Sequence, residues 1–271
     1  MAGRARADEL LVAAGCYGDI EAARRALGAG EVRLDDAQKT LLEKPGQLLD
    51  TASRFLCAPP RRYVSRGGEK LAGALADFHL TVAGRRCLDV GASTGGFTDC
   101  LLQAGAVSVT ALDVAYGIID WKLRCDPRVT VVERCNIRTV SDAELKALGA
   151  PFDLLVADLS FISLEAVFGA LQRCVGASGE MLLLVKPQFE ARRSEVGPGG
   201  IVSDTAVQRA VLARLEETVK AADAHVRGRS FSHIKGTKGN IEFWLWVGAN
   251  GCDAPCDNRD TLVRDAHRRL D

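Results

Sequence analysis

The sequence predicts an α/β chain, a Rossmann-like and mostly parallel sheet with helices on both faces, preceded by a small N-terminal α+β domain. Three observations carry this. Apolar, strand-like runs alternate with helical stretches through most of the chain. A small-residue turn, "GASTGG", follows the first of those runs. Paired prolines in "CAPPRRYVSRGG", Cys57 to Gly68, separate a first segment, residues 1–60, from a larger one, residues 61–250. Residues 251–271 read as a polar tail ending in a short helix, with no assigned role.

Composition bounds the rest. At 271 residues and 47% hydrophobic the chain holds enough apolar side chains for one sizeable core plus a small second domain. Lys+Arg and Asp+Glu number 35 each, so bulk charge identifies no partner, although a local basic patch fits within a neutral total. The opening "MAGRARADELLVAAG" has no apolar core of signal-peptide length, and no stretch of eighteen uncharged apolar residues occurs. A cytoplasmic location without stable membrane insertion is expected. Nine cysteines, mostly within apolar segments (Cys87, Cys100, Cys174), read as reduced core thiols. Cys252 and Cys256 in "CDAPC" lack two further ligands at a usual spacing, so no metal is expected. Nothing in the sequence indicates an oligomeric state.

In the first segment, "ADELLVAAG" reads as a helix ended by Gly15, and "DIEAARRALGAG" as a second, capped by Asp19. Ile20, Ala23 and Leu27 share one face of the second helix, with Arg24 and Arg25 beside it. "EVRLDD" alternates as a strand, and "KPG", Lys44 to Gly46, marks a turn. This layout resembles the S-four-type RNA-binding domain. That family usually opens its second helix with Ser-Arg, where this chain has Asp19 and Ile20, so one phosphate-contacting arginine is missing. Arg4, Arg6, Arg24, Arg25 and Lys44 are the expected basic face, positioning RNA through phosphates without reading sequence. The lesser alternative for this layout is a small helical interaction domain without RNA affinity.

The larger segment begins with a helix whose Leu71, Ala74, Leu75 and Phe78 form one stripe. Strand-like runs follow: "CLDV", "SVTALDV", "VTVVE", "FDLLVAD" and "GEMLLLVK". "AHVRGRSFS" and "IEFWLWVG" flank a glycine-rich loop and read as an antiparallel pair at one sheet edge. That order is the plan of an S-adenosylmethionine-dependent methyltransferase.

A turn at the carboxyl end of the first strand lies in the ligand crevice of such a sheet, where small residues let the backbone approach a cofactor. Gly91, Ala92, Ser93 and Gly95 supply it, without the middle glycine of a dinucleotide fingerprint. Asp113, 22 positions after Gly91, ends the second strand, where a carboxylate accepts the ribose hydroxyls of an adenosine. Both a methyl donor and a nicotinamide cofactor carry that diol. Asn136, after the third strand, is placed at the adenine. Asp158 ends the fourth strand and Lys186 the fifth, Glu242 lies in the last, and Lys70 in the first helix of the segment. One such charge reads as a solvated strand end; four converging on one crevice do not.

"YVSRGGEKL", "LDVGASTGGFTDCLLQAGA", "DLSFISL", "LLVKPQFEA", "GIVSD" and "GNIEFW", from Tyr63 to about Val247, together resemble the TlyA or haemolysin A family of FtsJ-like RNA methyltransferases. The resemblance implies 2'-O-methylation of cytidine ribose in ribosomal RNA or ribosomal subunits, with S-adenosylmethionine as cofactor. It also implies a catalytic Lys-Asp-Lys-Glu tetrad on Lys70, Asp158, Lys186 and Glu242. A ribose hydroxyl is a very weak acid, so its attack on a sulfonium methyl needs a base. Lys186 suits that role if its proton is weakened by the like charge of Lys70 and by partial burial, an effect the two carboxylates oppose. "DLSF" departs from the Pro-Pro-aromatic that usually follows the acid in methyltransferases of exocyclic base nitrogens, and Phe161 fits either base stacking or loop packing. Two other readings stand beside this one: an RNA-binding or ribosome-assembly factor with little turnover, and a membrane-active haemolysin, which the lack of an apolar span disfavours.

Overall fold

The computed structural model describes residues 3–28, 30–57, 62–248 and 258–271. The chain forms two compact units, Met1–Arg61 and Arg62–Asp271. The Cys252 and Cys256 pair lies outside the described residues.

The first unit runs β1 (Arg4–Arg6), α1 (Ala7–Ala13), α2 (Ile20–Gly28), β2 (Val32–Leu34), β3 (Leu41–Leu42), β4 (Leu48–Asp50) and β5 (Phe55–Cys57). Strands β1 and β4 pair antiparallel, and β2 lies between β3 and β5. Asp19 caps α2 by accepting from Ala22 N at 2.7 Å. Ala23 and Leu27 are buried with Leu11, Val32 and Leu42 in a small core. Ile20 differs from the sequence expectation and is 40% exposed, because it opens the helix a turn short of the residues that meet the core.

The second unit contains α3 (Arg66–Asp77), β6 (Arg86–Val90), α4 (Gly96–Gln103), β7 (Ser108–Leu112), α5 (Trp121–Arg124), β8 (Val129–Val132), α6 (Asp142–Ala147), β9 (Phe152–Ala157), α7 (Leu164–Gln172), β10 (Val175–Val185), α8 (Pro187–Glu190), α9 (Thr205–Ala221), β11 (His225–Phe231), β12 (Phe243–Gly248) and α10 (Arg259–Leu270). Its seven-stranded sheet has the order β11-β12-β10-β9-β6-β7-β8. Only the β11–β12 and β12–β10 pairings are antiparallel, so β12 alone runs against the other six strands of this sheet. Runs such as "FDLLVA" and "MLLLV" are apolar on both faces because helices cover both sides of the sheet, with separate cores beneath each layer. Cys87, Cys100 and Cys174 are buried free thiols whose pKa burial pushes up, to about 12 for Cys87 and Cys100.

The last helix belongs to this unit. Val263 and Ala266, three positions apart, are fully buried against the main core, and Leu270 packs beside them. His267 Nε2 meets Gln208 Oε1 at 2.9 Å, and Gln208 in turn donates to Val202 O.

A carboxylate is buried in the middle of the sheet. Asp89 is inaccessible, accepts from Thr98 Oγ1 at 2.7 Å through one oxygen, and leaves Oδ1 without a partner. Burial raises its pKa from 3.8 to about 7, with the nearby carboxylates of Asp158 and Asp113 adding to the effect. Between those two values the folded chain keeps a proton that the unfolded chain has lost, so this group's contribution to stability declines as pH rises through the window and levels off above it. Asp89→Asn is neutral throughout. The melting temperature of Asp89→Asn relative to wild type should therefore climb from pH 5 to pH 8; a constant difference would show that Asp89 titrates normally.

Candidate active site and basic face

The site grows from the carboxyl ends of adjacent parallel strands. Asp158 N donates to Val90 O at 3.1 Å, holding the end of β9 against the end of β6. Gly91 follows with φ 83°, and a Cβ there would lie 2.6 Å from Asp158 O, so only glycine fits this approach. The turn is then tied to the next strand: Gly91 N and Ala92 N both donate to Leu112 O, at 2.8 and 3.2 Å. Ser93, at φ 51°, donates its N–H to Asp113 Oδ2 at 2.7 Å. Asp113 Oδ1 accepts from Ala115 N at 2.8 Å, so each oxygen holds one donor and retains a lone pair. Gly95 caps α4 at φ 93°, with Leu123 and Ile119 packed where its Cβ would be. Asn136 is exposed beyond β8; its Oδ1 accepts from Arg138 N at 3.1 Å and its carbonyl accepts from Thr139 N, so its shown bonds shape its own turn. Cys135 N, one residue before it, donates to Asp113 O at 3.0 Å, which brings the turn beside Asp113.

Beside this turn stand two ion pairs. Lys186 Nζ lies 2.6 Å from Asp158 Oδ1 and donates to Ser160 Oγ at 2.8 Å. Lys70 Nζ lies 2.6 Å from Glu242 Oε2, with both side chains at least nine-tenths buried. Burial pushes the Glu242 carboxyl up and Lys70 opposes that shift; Asp158 and Lys186 also act on it, which puts all four charges within electrostatic reach. The four come from α3, β12 and the ends of β9 and β10, and the structure brings them together as two matched pairs.

The packing that delivers Lys70 is dictated by glycines. A Cβ on Gly68 would meet the Tyr63 side chain at 2.2 Å, and one on Gly96 would meet Ser65 Oγ at 2.2 Å and Gly68 N at 2.9 Å. The first turns of α3 and α4 therefore press together without intervening side chains. A Cβ on Gly236 would likewise strike Glu242 Oε1 at 2.5 Å, so the glycine-rich loop lies directly against that carboxylate. Buried Asn240 ties the same loop to "GIVSD", accepting from Val202 N at 2.9 Å and donating to Gly200 O at 2.8 Å.

Sequence reasoning missed one supporting residue. Glu190 accepts from Ser163 Oγ at 2.6 Å and Leu164 N at 2.7 Å, clasping the segment after Lys186 to the segment after Asp158. Its burial raises its pKa. Arg214 secures the clasp through the Glu190 carbonyl and the Glu165 carboxylate. "LLVKPQFEA" contained this glutamate, but only the fold shows what it reaches. Phe161, at φ 64° and 90% exposed, stands 5.1 Å from the Phe189 ring, and Lys186 Nζ lies 5.8 Å from that ring on its other contact.

The family model for FtsJ-like methyltransferases matches residues 63–249. The chain belongs to that family. Among the relatives of this FtsJ-like methyltransferase, a Mycobacterium tuberculosis protein named 16S/23S rRNA (cytidine-2'-O)-methyltransferase TlyA is 44% identical over 249 residues, covering 91% of each chain. Hemolysin A of Brachyspira hyodysenteriae is 40% identical over 182 residues, 67% of this chain and 75% of that one. The solved structure of a hemolysin-named protein from Streptococcus thermophilus superposes with a TM-score of 0.75 at 35% identity, covering 99% of this chain and 98% of that one. Among the described residues of the FtsJ-like chain no helix is long and apolar enough to cross a membrane.

In the first unit the basic residues separate into two kinds. Arg6 forms a two-pronged pair with Asp8, at 3.0 and 2.8 Å, and Arg24 Nε donates to the same carboxylate at 2.9 Å. Asp8 is fully buried, and Arg6 holds its carboxyl well below the usual carboxylate range. Arg24 also pairs with Glu21. Arg4, Arg25 and Lys44 are exposed and have no carboxylate partner among the described residues. Arg6 and Arg24 thus hold the unit together, which sequence alone did not reveal because the meeting of Arg24 with Asp8, 16 positions away, depends on how the helices pack. Arg6→Ala should lower stability, read from thermal or denaturant unfolding, since a buried carboxylate loses a charged donor that water partly replaces. Arg25→Ala and Lys44→Ala should leave it unchanged; equal losses for all three would mean the division is wrong.

Proposed function

We propose that this chain transfers the methyl group of S-adenosylmethionine to the 2'-hydroxyl of a cytidine ribose in ribosomal RNA. The observation that carries the reading is the pairing of Lys186 with Asp158 and of Lys70 with Glu242 beside the Gly91–Gly95 turn. The name of the Mycobacterium tuberculosis relative supports the choice of ribosomal cytidine.

The residues of the turn fit the cofactor. Asp113 keeps one lone pair on each oxygen for a ribose diol, Gly91, Ala92, Ser93 and Gly95 leave the backbone unobstructed, and the buried, unpartnered Oδ1 of Asp89 offers a further acceptor. Asn136 is assigned to the adenine end. When bound, S-adenosylmethionine supplies a methyl group on a positively charged sulfur. The chain's own task is to aim and activate the ribose oxygen. Lys186, once its ammonium has released a proton to solvent, takes the proton of the 2'-hydroxyl; Asp158 stabilises the ammonium so re-formed, and Ser160 Oγ fixes its direction. Lys70 and Glu242 form the second wall and hold the local charge balance as that proton moves. Arg4, Arg25 and Lys44 dock the RNA through phosphates, with Arg6 and Arg24 in support.

Mapping ribosomal 2'-O-methyl positions with and without the active protein tests the substrate; an unchanged map would refute it. Lys186→Ala should bind S-adenosylmethionine nearly as wild type while losing at least about a hundredfold in methyl transfer, and wild-type turnover in this variant would sink the tetrad assignment. Asp113→Ala should weaken cofactor binding by about 1.5 to 3 kcal/mol in calorimetry, and unchanged affinity would move the ribose elsewhere.

A further inference from the structure

Six large apolar side chains of the second unit are exposed among its described residues, and four of them, Val114, Tyr116, Ile118 and Trp121, fall within eight positions. Their exposures are 66%, 66%, 42% and 73%. Solvent-facing aromatic and branched residues concentrated on one loop mark a contact surface.

The loop is firmly built. Ala115 N donates to Asp113 Oδ1 and Arg134 N to Ala115 O, while Gly117, at φ 74°, donates its N–H to Glu133 Oε1 at 2.8 Å. Glu133 is itself paired with Arg124. Asp120 N donates to Thr94 O at 3.1 Å, and its side chain caps α5 by accepting from Lys122 N at 2.9 Å. Within this frame the residues alternate in direction. Ile119 and Leu123 turn inward and pack where a Cβ on Gly95 would be, at 3.2 and 2.2 Å, whereas Ile118 and Trp121 turn out to solvent. The Arg134 guanidinium lies 4.3 Å from the centre of the Tyr116 ring, a flat cationic and aromatic layer.

We propose that the Val114–Trp121 loop is a stacking platform for unpaired bases of an RNA strand, built from residues other than the tetrad and the small unit's basic set. The inference rests on the RNA-methyltransferase reading above. Aromatic rings and guanidinium planes together are the chemistry that holds splayed bases irrespective of sequence. A second copy of the chain fits less well. A stable interface needs about 800 Å² from each partner. An aromatic side chain buries about 150 to 250 Å², so two aromatics and two aliphatics, already partly covered, fall short. The cofactor fits less well too, because the loop residues packed against the turn at Gly95 are Ile119 and Leu123, not the exposed Ile118 and Trp121.

The full chain offers a direct probe, since of its three tryptophans Trp244 is buried and Trp246 half-buried. Single-stranded oligocytidylate should quench the Trp121 emission of wild type, and the quench should vanish in Trp121→Ala. That variant should bind oligocytidylate at least about tenfold more weakly, with Trp121→Phe restoring most of the affinity, and with unchanged melting temperature and S-adenosylhomocysteine affinity. Unchanged oligocytidylate affinity in Trp121→Ala and Tyr116→Ala would overturn the proposal. So would a loss of S-adenosylhomocysteine affinity, which would make the loop a cover for the cofactor, or a wild-type dimer dissociated by Trp121→Ala in sedimentation. These readouts need no turnover, so a chain that stacks RNA without methylating it would contradict the tetrad reading and leave the platform standing.

Discussion

The close approach of β6 to β9 at their carboxyl ends is the constraint on which the site depends. Parallel pairing fixes Val90 beside Ala157, and the Asp158 N–H to Val90 carbonyl bond extends that pairing one residue past the strand. Gly91 must then leave the strand directly against the Asp158 carbonyl, with a φ that side chains disfavour. The direction of the glycine turn and the position of the Asp158 carboxylate are thus set by the same contact. Lys186 follows because β10 lies next to β9 in parallel register, ending at the same rim.

Charge burial has two different purposes in this molecule. Asp8 is surrounded by two arginines whose other sides remain in water, an arrangement that stabilises a small core lacking apolar mass. At the sheet rim, by contrast, lysines and carboxylates are matched one to one, and the buried Lys70–Glu242 pair holds two charges that hydrophobic residues would replace at little cost to folding. Such a pair therefore adds little to stability. Asp89 lies between these cases: a carboxyl whose burial raises its pKa to about 7 is an expense the fold sustains at the foot of the glycine turn.

The loops around the rim are held by polar side chains reaching backward into the fold. Glu190 and Arg214 brace the segments carrying Asp158 and Lys186, and Asn240 joins the "GIVSD" loop to the loop against Glu242. Each bond joins residues at least 24 positions apart in sequence. Supports of this kind hold the side chains at the rim in one arrangement.

By itself the sequence determined the alternation of strands and helices, the antiparallel edge pair and the glycine turn, because each is written in local pattern or in contiguous motifs. The Asp19 cap and the buried faces of the strands belong to the same class, since a helix end and a two-sided strand have local signatures. Tertiary structure alone decided who pairs with whom. That Lys70 faces Glu242, 172 positions away, that Asp8 claims Arg6 and Arg24 from the basic set, and that Glu190 clasps Ser163 depend on strand order and helix packing. The exposure of Ile20 and Trp121 was hidden for the same reason: a hydrophobic residue looks alike in sequence whether it meets the core or the solvent, and only the packed neighbours of its helix or loop settle which.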